Sequence, residues 1–365
     1  MATLTSRERV ALAVRRQKPD RVPKDISWGL TPAVMEKFRR MTGHSDPEEY
    51  FGVDVRFIGL DIPPERLDET GRKRKELFGK YFQGLPDTLE ISEWGTGQLP
   101  GSFYHFVQLL QPMRVFTTPQ EIDDFPWPDF REDWRQAYAR QRIQAVHQRG
   151  LAACGAMAVT IFEVAWQLRG MEELFEDFRL RPEMAECLLG HMTDIRVYMA
   201  QFFAENGVDV LILGDDVSMQ TGMLMSPQTW RKWFKGRMQR IIQAARAIQP
   251  DLPVFYHSDG NPSAILDDLI EIGVTILNPV QPECIDPIWV KEKYGNRLAQ
   301  WGTIGTQTTM PFCTPEQVRE MVRQRIETVG YDGGLILGPT HMLEPDVPWE
   351  NIVALYEAIE EYGKY

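Results

Sequence analysis

Cysteine is scarce: Cys154, Cys187, Cys284 and Cys313 are scattered through 365 residues with no CxxC pair. That spacing argues against a disulfide framework or a structural zinc knot, and a reducing compartment is the default. Long apolar runs are missing as well, since none approaches the ~20 residues of a membrane span. The start, Met1-Ala2-Thr3-Leu4-Thr5-Ser6-Arg7-Glu8-Arg9, has no apolar signal-peptide core. A cytoplasmic protein with no membrane partner is expected. Positive charge is also short, with 40 Lys+Arg against 52 Asp+Glu for a net charge of −12. Such a balance does not suit a nucleic-acid backbone. It leaves a small anionic substrate open, because one local arginine could hold it. Histidines number only six, so their positions are informative.

What is present is an ordinary globular composition, 43% hydrophobic and 25% charged. The length allows two domains, or one barrel with insertions. From residue 131 onward, apolar runs with β-prone residues alternate with helical patterns. Counting Ile26, Val53, Ala152, Val208, Val254, Val274, Leu298 and Leu335 as strand markers gives about eight βα units. Eight is the number that closes a (β/α)8 barrel. Ile26-Ser27-Trp28 is the expected first strand. Residues from about 61 to 135 break the rhythm, with Pro, Gly and aromatics such as Phe78, Tyr81, Trp94, Phe116, Trp127 and Phe130. A structureless loop of roughly 70 residues is disfavoured. Alternation near Thr88–Trp94 and Met113–Phe116 predicts hairpins there. The stretch therefore reads as a folded insertion in a single domain, 1–365, and its aromatics either wall a pocket or form a small core of their own.

One stretch organises the rest. Pro253-Val254-Phe255-Tyr256 stops at His257-Ser258-Asp259, and Gly260-Asn261-Pro262 follows as a turn. In a parallel barrel the first polar residues after such a run lie at the strand's C-terminal end, where ligands bind. The other strand ends supply Glu163, Asp215, Asp216, Asn278, Gln281, Thr303 and His341. Each has a plain reading too. Strand-end carboxylates often cap the next helix, Asp259-Gly260-Asn261 is turn chemistry, and a histidine can simply be hydrogen-bonded. Their joint occurrence marks one face. His257 and Asp259, with His341 and Glu163, make a two-nitrogen, two-oxygen set that suits zinc. A metal-free acid/base site competes with that reading. Trp28 and Tyr256 lie at or beside strand ends, where they line a substrate pocket or pack in the core.

These motifs resemble the uroporphyrinogen decarboxylase superfamily, which includes corrinoid-dependent methyltransferases. The resemblance spans nearly the whole chain. It runs from Ser6-Arg7-Glu8-Arg9-Val10 and Pro19-Asp20-Arg21-Val22-Pro23 to Phe162-Glu163-Val164-Ala165-Trp166-Gln167-Leu168-Arg169-Gly170-Met171 and Gly214-Asp215-Asp216. It continues through His257-Ser258-Asp259-Gly260-Asn261, Leu277-Asn278-Pro279-Val280-Gln281 and Trp301-Gly302-Thr303-Ile304, and closes on Gly338-Pro339-Thr340-His341 and Pro345-Asp346-Val347-Pro348.

Within that resemblance two departures matter. Uroporphyrinogen decarboxylases carry an Arg-Gln-Ala-Gly-Arg motif near the N-terminus, where this chain reads Asp25-Ile26-Ser27-Trp28-Gly29-Leu30. The methyltransferase branch has His-x-Cys where His257-Ser258-Asp259 stands, and a second cysteine near the last strand, where His341 stands. Carboxylate and imidazole in place of thiolates leave a harder, more Lewis-acidic ion. The resemblance then implies an O-demethylase-type methyltransferase. It would move methyl from a methoxylated, aryl-ether-like small molecule to a corrinoid on a separate binding protein, because this chain lacks the Asp-x-His-x-x-Gly motif of cobalamin domains. Glu163, His257, Asp259 and His341 would hold zinc. Asp215 and Asp216, with His257 and His341, would be catalytic, and Trp28, Tyr256, Asn278 and Gln281 would contact substrate. A metal-independent decarboxylase, a methylcorrinoid:thiol methyltransferase and a non-catalytic binding module are the rivals. Related barrels are often dimers, so a homodimer stays open.

Overall fold

The computed structural model describes residues 4–86, 88–103 and 106–365. Its strands, in chain order, are β1 (Val55–Ile58), β2 (Glu90–Ile91), β3 (Gly97–Phe103), β4 (Phe106–Leu110), β5 (Ala152–Ala158) and β6 (Val210–Gly214). They continue as β7 (Ser218–Met219), β8 (Gly222–Met223), β9 (Val254–His257), β10 (Ile276–Asn278), β11 (Ala299–Ile304) and β12 (Leu335–Pro339). Seven of them form one sheet in the order β1-β5-β6-β9-β10-β11-β12, and every neighbouring pair is parallel. Helices cross between them, as the alternating pattern predicts.

The two edges of this sheet meet through residues 23–25. Leu337 N–H donates to Pro23 O at 3.0 Å, Asp25 N–H to Leu337 O at 3.0 Å, and Asp54 N–H to Lys24 O at 3.0 Å. This short segment occupies the eighth position of a (β/α)8 barrel. The expected first strand, Ile26-Ser27-Trp28, is thus displaced by about one turn's length toward the C-terminus. Those three residues instead make a turn, closed by Gly29 N–H on Ile26 O and with Ser27 at φ 52°. The cause lies at Asp25, whose carboxylate accepts from the N–H of Ile26 at 2.8 Å and from Trp301 Nε1 at 2.7 Å. Those side-chain bonds replace the ladder and end the strand.

Alternation along the strands sorts the core into two layers. Val210, Ile212, Phe255, Ile276 and Trp301 share one cluster, whereas Leu211, Leu213, Val254, Tyr256 and Leu277, which alternate with them along the strands, share a second cluster beneath the helices. Phe255 and Trp301 meet edge to face with centroids 5.1 Å apart, which plugs the interior below the strand ends.

The described part of the stretch expected as an insertion is folded. It holds the helix Leu67–Phe78, the antiparallel sheet β2-β3-β4 and the short helix Pro119–Asp123. The second predicted hairpin falls earlier than expected, at β3–β4, and Met113–Phe116 is a turn. Residues 87, 104 and 105 of the predicted stretch lie outside the described residues. Phe78, Phe82, Phe116, Phe125 and Phe130 are buried in the main core, so these rings pack against one another and against the barrel helices. Arg169, fully buried, fastens the insertion down. It pairs with Asp177 at 2.7 Å and donates to the carbonyls of Met113 and Phe116. No helix of the described residues is long and apolar enough to cross a membrane.

Candidate active site

The register of the sheet aligns the chemistry. Gly214 pairs with His257, and His257 with Asn278, so the polar residues that follow β6, β9 and β10 emerge at one level. Glycine is required at 214 because a Cβ there would meet the His257 Cβ at 2.5 Å. That close approach draws the two strand ends together.

His257 is buried, and its ring is held on two sides. Asn278 donates Nδ2–H to the Trp301 carbonyl at 3.0 Å, which turns its Oδ1 toward His257 at 2.6 Å from Nδ1. A carbonyl oxygen only accepts, so Nδ1 is the donor to Asn278 and Nε2 is the nitrogen turned toward the cluster. Trp28 stands edge-on to the same ring with centroids 5.1 Å apart. The Nε2 faces two carboxylates, Asp216 Oδ1 at 3.6 Å and Asp259 Oδ1 at 3.8 Å. Asp216, His257 and Asp259 present ligand atoms that all lie within 4.8 Å of one another. An imidazole whose far nitrogen donates to a fixed acceptor is the usual arrangement of a metal-binding histidine.

Neighbouring groups tighten the cluster. Asp216 N–H donates to Glu163 Oε2 at 3.0 Å, and Asp259 N–H donates to Asp216 Oδ1 at 2.8 Å. Burial pushes Glu163 well above the ordinary carboxyl range, and the charges of Asp216, Asp215 and Asp259 add to it. Asp259 is raised by burial and by Asp216, against the opposing pull of His257 and His341. Crowding this many carboxylates in one place is electrostatically costly, and a bound cation would relieve it. The donor set therefore fits zinc or a similar divalent ion.

The four residues expected as ligands do not all take that position. Glu163 and His341 stand outside the three-residue cluster, and Asp216 takes a place within it. Glu163 instead holds the Asp216 backbone. His341 lines the neighbouring cavity of about 400 Å³ together with Asp216, Asp259, Gln281, Thr340 and Asp346. Asp215 is sealed off from that cavity. Its carboxylate accepts from the N–H groups of Ile161 at 3.0 Å and Glu163 at 3.1 Å, at the start of the helix Phe162–Arg169. Burial raises it to about 6, against those backbone donors and Arg196. It positions the helix that carries Glu163. Tyr256 is fully buried in the layer under the helices and does not reach the cavity, because its side chain points opposite to those of Phe255 and His257. Asn278 acts through His257, and Gln281 accepts from Gly260 N–H at 3.2 Å while lining the cavity.

Thr306, Gln307, Met342 and Glu344 also line this cavity. They follow the last two strands, where no periodic signal separates a wall residue from a loop residue. None of the insertion's described aromatic side chains lines it.

Residues 111–362 match the family model described as Uroporphyrinogen decarboxylase (URO-D). The chain belongs to the uroporphyrinogen decarboxylase family. Among proteins similar to it, the uroporphyrinogen decarboxylase of Legionella pneumophila (strain Corby) is 27% identical over 180 residues, 49% of this chain and 48% of the relative. That of Magnetococcus marinus is 20% identical over 185 residues, 50% of this chain and 49% of the relative. The chain thus spans about half the length of the curated relatives it matches. A methyltransferase from Methanosarcina mazei is 21% identical, covers 98% of this chain and 99% of its own, and superposes with a TM-score of 0.66, which shows a shared fold.

Some of the motifs that mark the family are structural in this member. Arg9 pairs with Asp20 at 2.7 Å and with Asp54 at 2.7 Å, and Arg21 with Asp54 at 2.9 Å. These three links tie the first helix, Ser6–Val14, to β1 and to the closing segment 23–25. The polar strand-end residues of the candidate site are instead Glu163, Asp216, His257, Asp259 and His341.

Proposed function

We propose that this chain is a methyltransferase that takes a methyl group from a methoxylated small molecule and passes it to a separate corrinoid-binding protein. The observation that carries the reading is the Asp216–His257–Asp259 cluster at the strand ends, a donor set of oxygen and nitrogen alone. Zinc is the ion proposed there, held by these three side chains. Bound in such a site, it would supply Lewis acidity to an ether oxygen.

The chain's own residues do the rest. Asn278 fixes the His257 tautomer, and Glu163 fixes the backbone of Asp216. His341, on the cavity wall, is the group proposed to hold a proton for the departing alkoxide or phenolate oxygen. Trp28 packs against the His257 ring and lines a separate cavity of about 780 Å³, where it is proposed to meet the substrate's ring. The wall of the strand-end cavity holds Asp216, Asp259, Glu344 and Asp346, a sign of charge that favours a neutral ether over a polyanionic tetrapyrrole.

The decarboxylase reading draws on the family and would need cationic groups free to hold substrate carboxylates. The larger cavity, which Trp28 lines, also includes Arg56, Arg142 and Arg149. Each is already paired with a carboxylate of the chain, Arg56 with Glu48 at 3.0 Å, Arg142 with Asp61 and Arg149 with Glu49. Single-turnover transfer from a panel of aryl and alkyl methyl ethers to cob(I)alamin tests the proposal. The expected result is methylcobalamin formation with the zinc-loaded protein and none with His257→Ala. Porphyrinogen decarboxylation that persists in the His257→Ala variant, without methyl transfer in the wild type, would give the site to the rival.

A further inference from the structure

A second group of potential ligands shares no residue with the strand-end cluster. We infer that Asp123, Cys187 and His191 form a separate zinc site that pins the end of the insertion to the barrel's long helix Pro182–Glu205. Cys187 and His191 are spaced i, i+4 on that helix and so share one face. Asp123 is the last residue of the helix Pro119–Asp123, whose start is fixed by a Thr118–Glu121 capping box.

The three ligand atoms lie within 4.8 Å of one another. Asp123 Oδ1 accepts from Cys187 Sγ at 3.2 Å and is 2.7 Å from His191 Nε2. Tetrahedral zinc with ordinary bond lengths separates such donors by about 3.3–3.6 Å. Opening the cluster by about half an ångström therefore converts a hydrogen-bonded set into a coordinating one, with the thiol proton released. The imidazole is already oriented: it stacks on Trp127 with centroids 4.9 Å apart and planes at 15°, and Trp127 Nε1 is anchored on the Ile122 carbonyl at 3.0 Å. Asp123 and His191 are partly exposed, so an ion can enter from solvent, and a water can complete the fourth position. Carboxylate, thiolate and imidazole together select a borderline-soft ion over magnesium or calcium.

The two metal sites differ in one donor, which makes them separable. Full-length protein stripped with chelator is titrated with Co(II), whose ligation by thiolate gives a near-ultraviolet charge-transfer absorption. The Asp216–His257–Asp259 cluster has no sulfur and contributes none. The band is expected in the wild type, in His257→Ala and in Cys284→Ser, and is lost in Cys187→Ser. His191→Ala, which removes one of three ligands, should move the cobalt titration to markedly higher concentrations. In a His257→Ala background zinc should raise Tm, and adding Cys187→Ser should remove that rise. Absence of the band in folded wild-type protein, or its survival in Cys187→Ser, overturns the inference and leaves the methyl-transfer proposal untouched.

Discussion

His257 and Asn278 stand side by side on β9 and β10, and the Nδ1–H of the first is donated to the Oδ1 of the second over 2.6 Å. This single bond decides which face of the imidazole is available to an ion. Replacing Asn278 with leucine would leave a buried N–H without its acceptor and free the ring to turn. Zinc affinity at this site should fall about 10–100-fold, the usual cost of losing such an orienting partner. Competition with a chelating dye measures it, on protein whose thermal unfolding stays cooperative. Unchanged affinity would mean that packing by Trp28 alone orients the ring.

The ligand set itself is open to a direct count. Asp216→Ala, His257→Ala and Asp259→Ala should each lose the metal at the strand ends, because each removes one of three clustered donors. His341→Ala and Glu163→Gln should retain it. His341→Ala should slow methyl transfer about 10²-fold or more if it acts as a proton holder. Metal content by mass spectrometry is read on a Cys187→Ser background to exclude a second site. An empty strand-end site in His341→Ala would restore the four-residue set expected from the sequence.

Much of this was legible from residue patterns, and the failures have physical causes. The parallel strands and the strand-end face follow from apolar runs ending at polar residues, and His257 and Asp259 could be read that way. Asp216 against Glu163 could not. The two are separated by 53 positions, and which one faces His257 depends on Asp215 capping the intervening helix. Of the two roles open to Tyr256, pocket wall or core, alternation selects core packing, since its neighbour His257 points the other way. Strand 23–25 was displaced because the hydrogen bonds that end it come from the Asp25 side chain, reaching Trp301 across 276 positions. The Asp123–Cys187–His191 group carries no spacing motif beyond one helical turn.

Asp215 offers a stability test that separates positioning from catalysis. Its buried carboxylate accepts from backbone N–H groups at the start of the helix Phe162–Arg169. Asp215→Ala leaves those buried donors without their acceptor. Unfolding free energy should drop by about 1.5–3 kcal/mol, the range for hydrogen bonds to a charged group. Urea denaturation measures the loss. Asp215→Asn, which retains one acceptor oxygen, should recover part of the stability. Full stability in Asp215→Ala with abolished turnover would return this residue to the catalytic set.

At the opposite end of the barrel, Asp20 couples the fold to acid. Its carboxylate is held down to about 2, first by the hydrogen bond from Arg9, then by that guanidinium's charge and the N–H groups of Leu4 and Arg21, with burial opposing. An unfolded aspartate titrates near 3.9. The folded state therefore binds its proton later than the unfolded state as pH falls. The stabilisation is fully present above roughly pH 4 and is lost between roughly pH 4 and 2. Asp20→Asn removes this contribution while Arg9 keeps its pairing with Asp54 at 2.7 Å. The stability difference between wild type and variant, from urea titrations at stepped pH, should be flat at neutral pH and shrink on acidification. Taking the difference cancels the titration of the other carboxylates, which both proteins share. A difference that stays constant down to the acid limit of folding would mean that the Asp20 side chain contributes by shape and not by charge.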